Sequence, residues 1–152
     1  MEVIHLQEEN LDSIKVILKE CFNATAEYEG NKIHLGITDV VAYVGLLPFE
    51  LEIENKKYKA VGVCSLATLS EFRGNGYGSK LIKECIKWSE INDIDFIILY
   101  GESDFYSRFG FDEIPNLYEK NNAMIYIVNN DCVFEKIFNK ETIKIWENMP
   151  KF

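Results

Sequence analysis

Histidine, paired cysteine and positive charge are all scarce in this chain. Its two histidines are His5 and His34, and its four cysteines, Cys21, Cys64, Cys85 and Cys132, form no CxxC pair. That leaves little from which to build a zinc site, and no metal is expected. Four reduced, mostly buried thiols are the plain reading. No apolar run approaches the roughly 20 residues that span a membrane. The opening MEVIHLQEEN carries acids where a signal peptide carries positive charge. A soluble, cytoplasmic protein with no membrane partner is the expectation. With 16 basic residues against 25 acidic ones, the net charge is −9. Such a balance argues against nucleic-acid partners, whose phosphates are held by cations. It suits a cationic substrate such as an amine, although acidic surfaces also serve solubility alone. Internal repeats and low-complexity stretches are absent as well.

What is there fits one domain over residues 1–152, a length that can bury a single core. Glu2–Leu6 alternates and reads as a first strand. Leu11, Ile14, Ile17, Leu18 and Cys21 fall at helical spacing, with Asn10 or Asp12 able to cap. Lys32–Thr38 and Val40–Ile53 read as strands, and Glu50, Glu52 and Glu54 line one face of the second. A solvated face is the plain reading of those acids, an acidic wall for an amine the alternative. A turn at Glu54–Lys57 leads into a long strand, Tyr58–Leu69. Leu81, Ile82, Cys85, Ile86 and Ser89 give a helix over Lys80–Glu90, and Phe96–Tyr100 (FIILY) a central strand. Strand, helix and strand in that order imply a right-handed crossover. A short helix around Asp104–Phe109 ends at Gly110. Ala123–Val128, Cys132–Phe138 and Thr142–Trp146 are further expected strands, so the class is α+β.

The long strand runs into Arg73-Gly74-Asn75-Gly76-Tyr77-Gly78-Ser79, which opens the helix. Alternating glycines let the backbone approach a bound group, and a helix N-terminus offers amides and a positive dipole end. Together they read as a phosphate cradle. The GK[ST] ending of a P-loop is missing, and GxGxG is not the dinucleotide spacing GxGxxG. A purely structural glycine turn remains the alternative for the loop alone.

One crossover later comes Tyr106-Ser107-Arg108-Phe109-Gly110-Phe111. A basic glycine loop followed by YxxxGF resembles the GNAT superfamily of N-acetyltransferases. Its [Q/R]-x-x-G-x-[G/A] signature is matched by Arg73, Gly76 and Gly78, and the likeness covers about residues 58–112 with specific motifs. Less specifically, LATLSEFRGNGYGSKL and FYSRFGF are similar to single-domain bacterial members, to aminoglycoside 2′-N-acetyltransferases and to enhanced-intracellular-survival-type acetyltransferases. The resemblance implies a mixed, mostly antiparallel sheet with a splayed parallel strand pair and helices on both faces.

It also implies acetyl-CoA as donor and an amine as acceptor, with a second copy of the chain a further candidate partner. The pyrophosphate would sit on amides from Gly74 to Ser79, so Arg73, Gly74, Asn75, Gly76, Tyr77, Gly78 and Ser79 are the expected cofactor residues. The strand edge at Leu66, Ala67 and Thr68 would pair with the pantetheine arm. A strand N–H there would hold the oxyanion, and Tyr106 would protonate the departing thiolate. The plainer reading of Tyr106 is a half-buried tyrosine. Two departures from the family stand out. Ser70 replaces a usual proline, and the inward positions Gly62 and Cys64 lack the glutamate that some members use as base. Glu50, Glu52, Glu71, a water chain or the carboxylate of Phe152 are the remaining candidates. A small-molecule N-acetyltransferase is thus expected. A non-catalytic CoA-binding or regulatory module and a protein N-acetyltransferase are the alternatives.

Overall fold

In a computed structural model describing residues 2–24, 30–53, 55–114, 122–129, 149–150 and 152, seven strands join one hydrogen-bonded sheet. The strands are β1 (Val3–Leu6), β2 (Ile33–Ile37), β3 (Ala42–Ile53), β4 (Lys56–Thr68), β5 (Phe96–Tyr100), β6 (Asp112–Glu113) and β7 (Ala123–Ile127). Their order is β1-β2-β3-β4-β5-β7-β6. The helices are α1 (Leu11–Phe22), α2 (Tyr77–Ile91) and α3 (Ser103–Tyr106). β4 and β5 run parallel, while β1–β2, β2–β3, β5–β7 and β6–β7 are antiparallel. This is the mixed, mostly antiparallel α+β sheet expected. Among the described residues no helix is long and apolar enough to cross a membrane. The strands expected at Cys132–Phe138 and Thr142–Trp146 lie outside the described residues.

The chain forms two compact units, Met1–Leu47 with Val63–Cys85, and Pro48–Gly62 with Ile86–Phe152. In the first, α1 lays Ile14 and Ile17 against Leu6, Val40, Tyr43 and Ala67. That is the stripe read from helical spacing. Asn10 does start α1, but its side chain makes no cap bond to the helix. Its Oδ1 accepts the N–H of Gln7 at 2.8 Å and closes a single 3-10 turn over Glu8–Asn10. Asn23 ends α1 in the left-handed conformation that asparagine tolerates. The buried pair His34 and Tyr43 bonds through Nδ1 and the hydroxyl at 2.7 Å, so this histidine is a satisfied core group.

In the second unit, Leu51, Tyr58, Ala60, Phe96, Ile98, Ile114, Ala123 and Ile125 pack together, from four strands and the residue that follows β6. Glu50 and Glu52 are exposed on either side of buried Leu51, so β3 alternates and its acids face water. The parallel register is Ala60↔Phe96, Val61↔Ile97 and Gly62↔Ile98. Asp95 pins that register. Its N–H donates to the Lys59 carbonyl at 2.8 Å and its carboxylate accepts the Lys59 N–H at 2.9 Å. Its carbonyl takes the N–H groups of Val128 and Asn129 at 2.9 and 3.0 Å. One residue thereby aligns the start of β5 with both its neighbours.

Candidate functional site

The expected long strand is present as β4, but its ladder with β5 ends at Gly62↔Ile98, although β4 continues to Thr68 and β5 to Tyr100. Three residues beyond Gly62, Ser65 sits at φ +53 and is exposed within an otherwise buried run. A non-glycine residue there bends the strand as a bulge does, at a cost of about 1–2 kcal/mol. The irregularity of β4 thus centres on Ser65. Ala67 is buried, Leu66 and Thr68 half-buried. The Thr68 carbonyl already accepts the Cys21 thiol at 3.4 Å and Arg73 Nε at 3.1 Å.

Arg73 therefore braces the loop it opens, with its Nη2 3.8 Å from Cys21 Sγ. Ser70 joins this bracing: its N–H and hydroxyl donate to the Glu20 carboxylate at 3.2 and 3.1 Å. A proline at 70 could make neither bond. Asn75 folds its amide back onto the Phe72 carbonyl at 2.8 Å, a local turn bond. Gly74 and Gly76 adopt φ +82 and +75, and a Cβ built on either would meet no atom within 4 Å. Both are exposed, while Tyr77, Gly78 and Ser79 are half-buried. The helix starts at Tyr77, three residues before the expected start, and its first internal bond runs from Lys80 N–H to the Gly76 carbonyl at 3.0 Å. The amides of Gly78 and Ser79 precede that bond, in the first turn, where a helix supplies its N–H groups with no intrahelical partner. The loop residues Arg73 to Ser79 are thus gathered into one open, donor-rich turn. Acidic side chains in the first turn of α2, which would repel an anion, are absent.

Tyr106 belongs to the other unit. It ends α3 half-buried, its ring edge-on to Phe105 at 4.9 Å and tilted onto Phe111 at 5.9 Å. Gly110 stops the following turn at φ +96, as a left-handed cap glycine does. Phe111 is buried, as expected of a core residue. The two inward strand positions that lack a glutamate, Gly62 and Cys64, are filled differently. A Cβ at Gly62 would stand 2.7 Å from the Phe152 ring, which stacks on Phe49 and Tyr100 at 6.1 and 5.4 Å. Burial raises the Tyr100 hydroxyl above its usual range. Cys64 is buried. Cys85 on α2 is buried too; desolvation and the nearby Glu84 carboxylate push its thiol up to about 12, which leaves it inert. Sequence reading missed Ser65, Asp95 and the Glu20–Ser70 link. None has a local signature, because each depends on a partner or a bend set elsewhere.

The fold defines a class first. An Enterococcus faecalis protein described as a probable N-acyltransferase superposes with a TM-score of 0.69 at 19% identity, over 74% of this chain. This chain spans only 32% of that protein's length. A GNAT family N-acetyltransferase of Escherichia coli, solved in complex with CoA, gives a TM-score of 0.69 at 17% identity, covering 86% of this chain and 82% of its own. A GNAT family acetyltransferase of Brucella melitensis, solved with acetyl-CoA, gives 0.65 at 17% identity, covering 84% and 88%. At these identities the shared property is the fold. No curated protein matches in sequence. The acetyltransferase (GNAT) domain family matches residues 2–114, three quarters of the chain, and the chain belongs to that family.

Proposed function

We propose that this chain is an acetyl-CoA-dependent N-acetyltransferase that transfers the acetyl group to a primary amine of a small molecule by direct attack in a ternary complex. The observation carrying the proposal is the loop. Two glycines in the left-handed region hold their faces open, and a helix N-terminus follows at once. This suits a pyrophosphate bound on backbone amides from Gly74 to Ser79 without a metal. Acetyl-CoA supplies the activated thioester. On this reading Arg73 keeps the loop in shape through Thr68, and the amides of Gly78 and Ser79 orient the donor.

The reaction forms a bond from the amine nitrogen to the carbonyl carbon and breaks the carbon–sulfur bond. The leaving sulfur takes a proton, for which the Tyr106 hydroxyl is the proposed source. The amine must be neutral to attack and passes its proton to water or to a remote carboxylate. A second reading, a non-catalytic CoA-binding module, draws on the ring of Phe152 over Gly62, where a carboxylate base would otherwise find room.

Thiol release from acetyl-CoA, measured over polyamines, amino acids, aminoglycosides and peptides, separates the two. Release with at least one amine, and a Tyr106→Phe variant that loses turnover more than CoA affinity, is the expected outcome. Saturable CoA binding with no release for any amine would replace the enzyme with the module.

A further inference from the structure

Gly101 directly follows β5, and nothing in its own backbone calls for a glycine. Among the described residues the glycines at positive φ are Gly74, Gly76 and Gly110; Gly101 is not one of them. Its N–H donates to the Asn122 carbonyl at 3.0 Å, a bond any residue but proline can make. The constraint is the space above it. A Cβ at Gly101 would run into Cε2 of Tyr106 and come within 3.1 Å of Cδ2 and 3.3 Å of Cζ. The phenol ring thus lies directly on the Gly101 backbone.

The other neighbours of that ring leave little room to yield. Phe105 meets it edge-on at 85°, and Phe111 meets it at 66°. Phe111 is itself buried against Tyr126 at 5.4 Å. A side chain at 101 would therefore shift the ring by on the order of 1 Å, since carbon atoms pack at about 3.5–4.0 Å. The hydroxyl lies at the far end of that ring and moves with it.

We propose that Gly101 is a positioning residue: its missing side chain seats the Tyr106 ring and so sets where the hydroxyl presents its proton. The proposal rests on the reading of Tyr106 as proton donor. It assigns Gly101 no contact with substrate. Proton transfer to a leaving sulfur requires a donor held within hydrogen-bond reach, so a displaced hydroxyl costs rate while leaving donor binding alone.

The test is a pair of double-mutant cycles on the full chain. Gly101→Ala is expected to lower kcat by roughly 10- to 100-fold while the KM for acetyl-CoA moves less than about twofold. In a Tyr106→Phe background the same substitution should cost no further kcat, because the group it displaces has gone. The second cycle reads melting temperature. Gly101→Ala should lower it by roughly 2–12 °C, as overpacking does in a domain of this size. In a Tyr106→Ala background, which removes the ring, it should lower it by less than about 1 °C. Should Gly101→Ala fail to fold alone, recovery of the fold in the Tyr106→Ala background supports the contact, and failure in both overturns it. An unchanged kcat for Gly101→Ala, or an equal loss in both backgrounds, overturns the positioning role. The underlying reading fails separately: an unchanged kcat for Tyr106→Phe removes the proton donor itself.

Discussion

Replacing Gly76 tests the phosphate cradle, because strain and obstruction can be told apart there. Gly76 sits at φ +75, and a Cβ built on it touches nothing within 4 Å. Gly76→Val would cost the free protein about 1–2 kcal/mol of backbone strain in the left-handed region. At roughly 2–4 °C per kcal/mol, that lowers the melting temperature by some 2–8 °C. Gly76→Asn should cost much less, since asparagine visits this region readily. Binding tells a different story. Either side chain projects into the open space over the loop, where the proposed pyrophosphate lies, and denies it backbone donors. Hydrogen bonds to a charged group are worth about 1.5–3 kcal/mol each, so losing two weakens binding by roughly 10²- to 10⁴-fold. Calorimetric titration with CoA, beside a thermal melt of the free protein, reads both quantities. Gly76→Asn is expected to melt close to the parent and yet lose CoA affinity at least 100-fold. A variant that still binds CoA within threefold of the parent would refute the cradle.

Four further outcomes follow from the packing. The Cys85 thiol, raised from 9.0 to about 12, should react with iodoacetamide at pH 8 on the order of a thousandfold more slowly than a free thiol. A raised folded-state value also gives stability that is fully present below pH 9 and is lost as pH rises toward about 12. Chemical denaturation should show this as a slope of up to roughly 1.4 kcal/mol per pH unit that Cys85→Ala removes; equal slopes in both proteins would contradict the burial argument. Ser70→Pro should destabilise the parent, because both bonds to Glu20 are lost. In a Glu20→Ala background it should turn stabilising by about 0.4–1 kcal/mol, the backbone before it being extended at ψ 138; the same sign in both backgrounds would show the link to be inert. Phe96→Ala, at the fully buried centre of its cluster and against Tyr58 at 6.3 Å, should cost about 3–5 kcal/mol in urea unfolding. A loss below 1 kcal/mol would show that this cluster is not a packed core.

Much of the fold was legible in local pattern. FIILY forms β5 over the residues read for it, because a continuous apolar run suits a strand buried on both faces. The α1 stripe packs inward as its spacing predicted. α2 begins three residues early because the glycine loop winds straight into the helix, and a helix's first turn tolerates Gly78. The loop and Tyr106 carried the family likeness, and the family match over residues 2–114 bears that out.

What the sequence by itself determined is the set of elements and the two motifs, since periodicity, turn residues and glycine spacing act over a few neighbours. What only the tertiary structure decided is how those motifs are braced and seated. Glu20 reaches Ser70 across 50 positions of chain. Asp95 aligns β5 with Lys59 across 36 positions and with Asn129 across 34. Gly101 looks from sequence like an ordinary turn glycine after a strand. Its reason appears only once α3 folds the Tyr106 ring back onto its backbone. Such constraints arise from steric exclusion and hydrogen bonding between groups that chain folding brings together, and no local pattern records them.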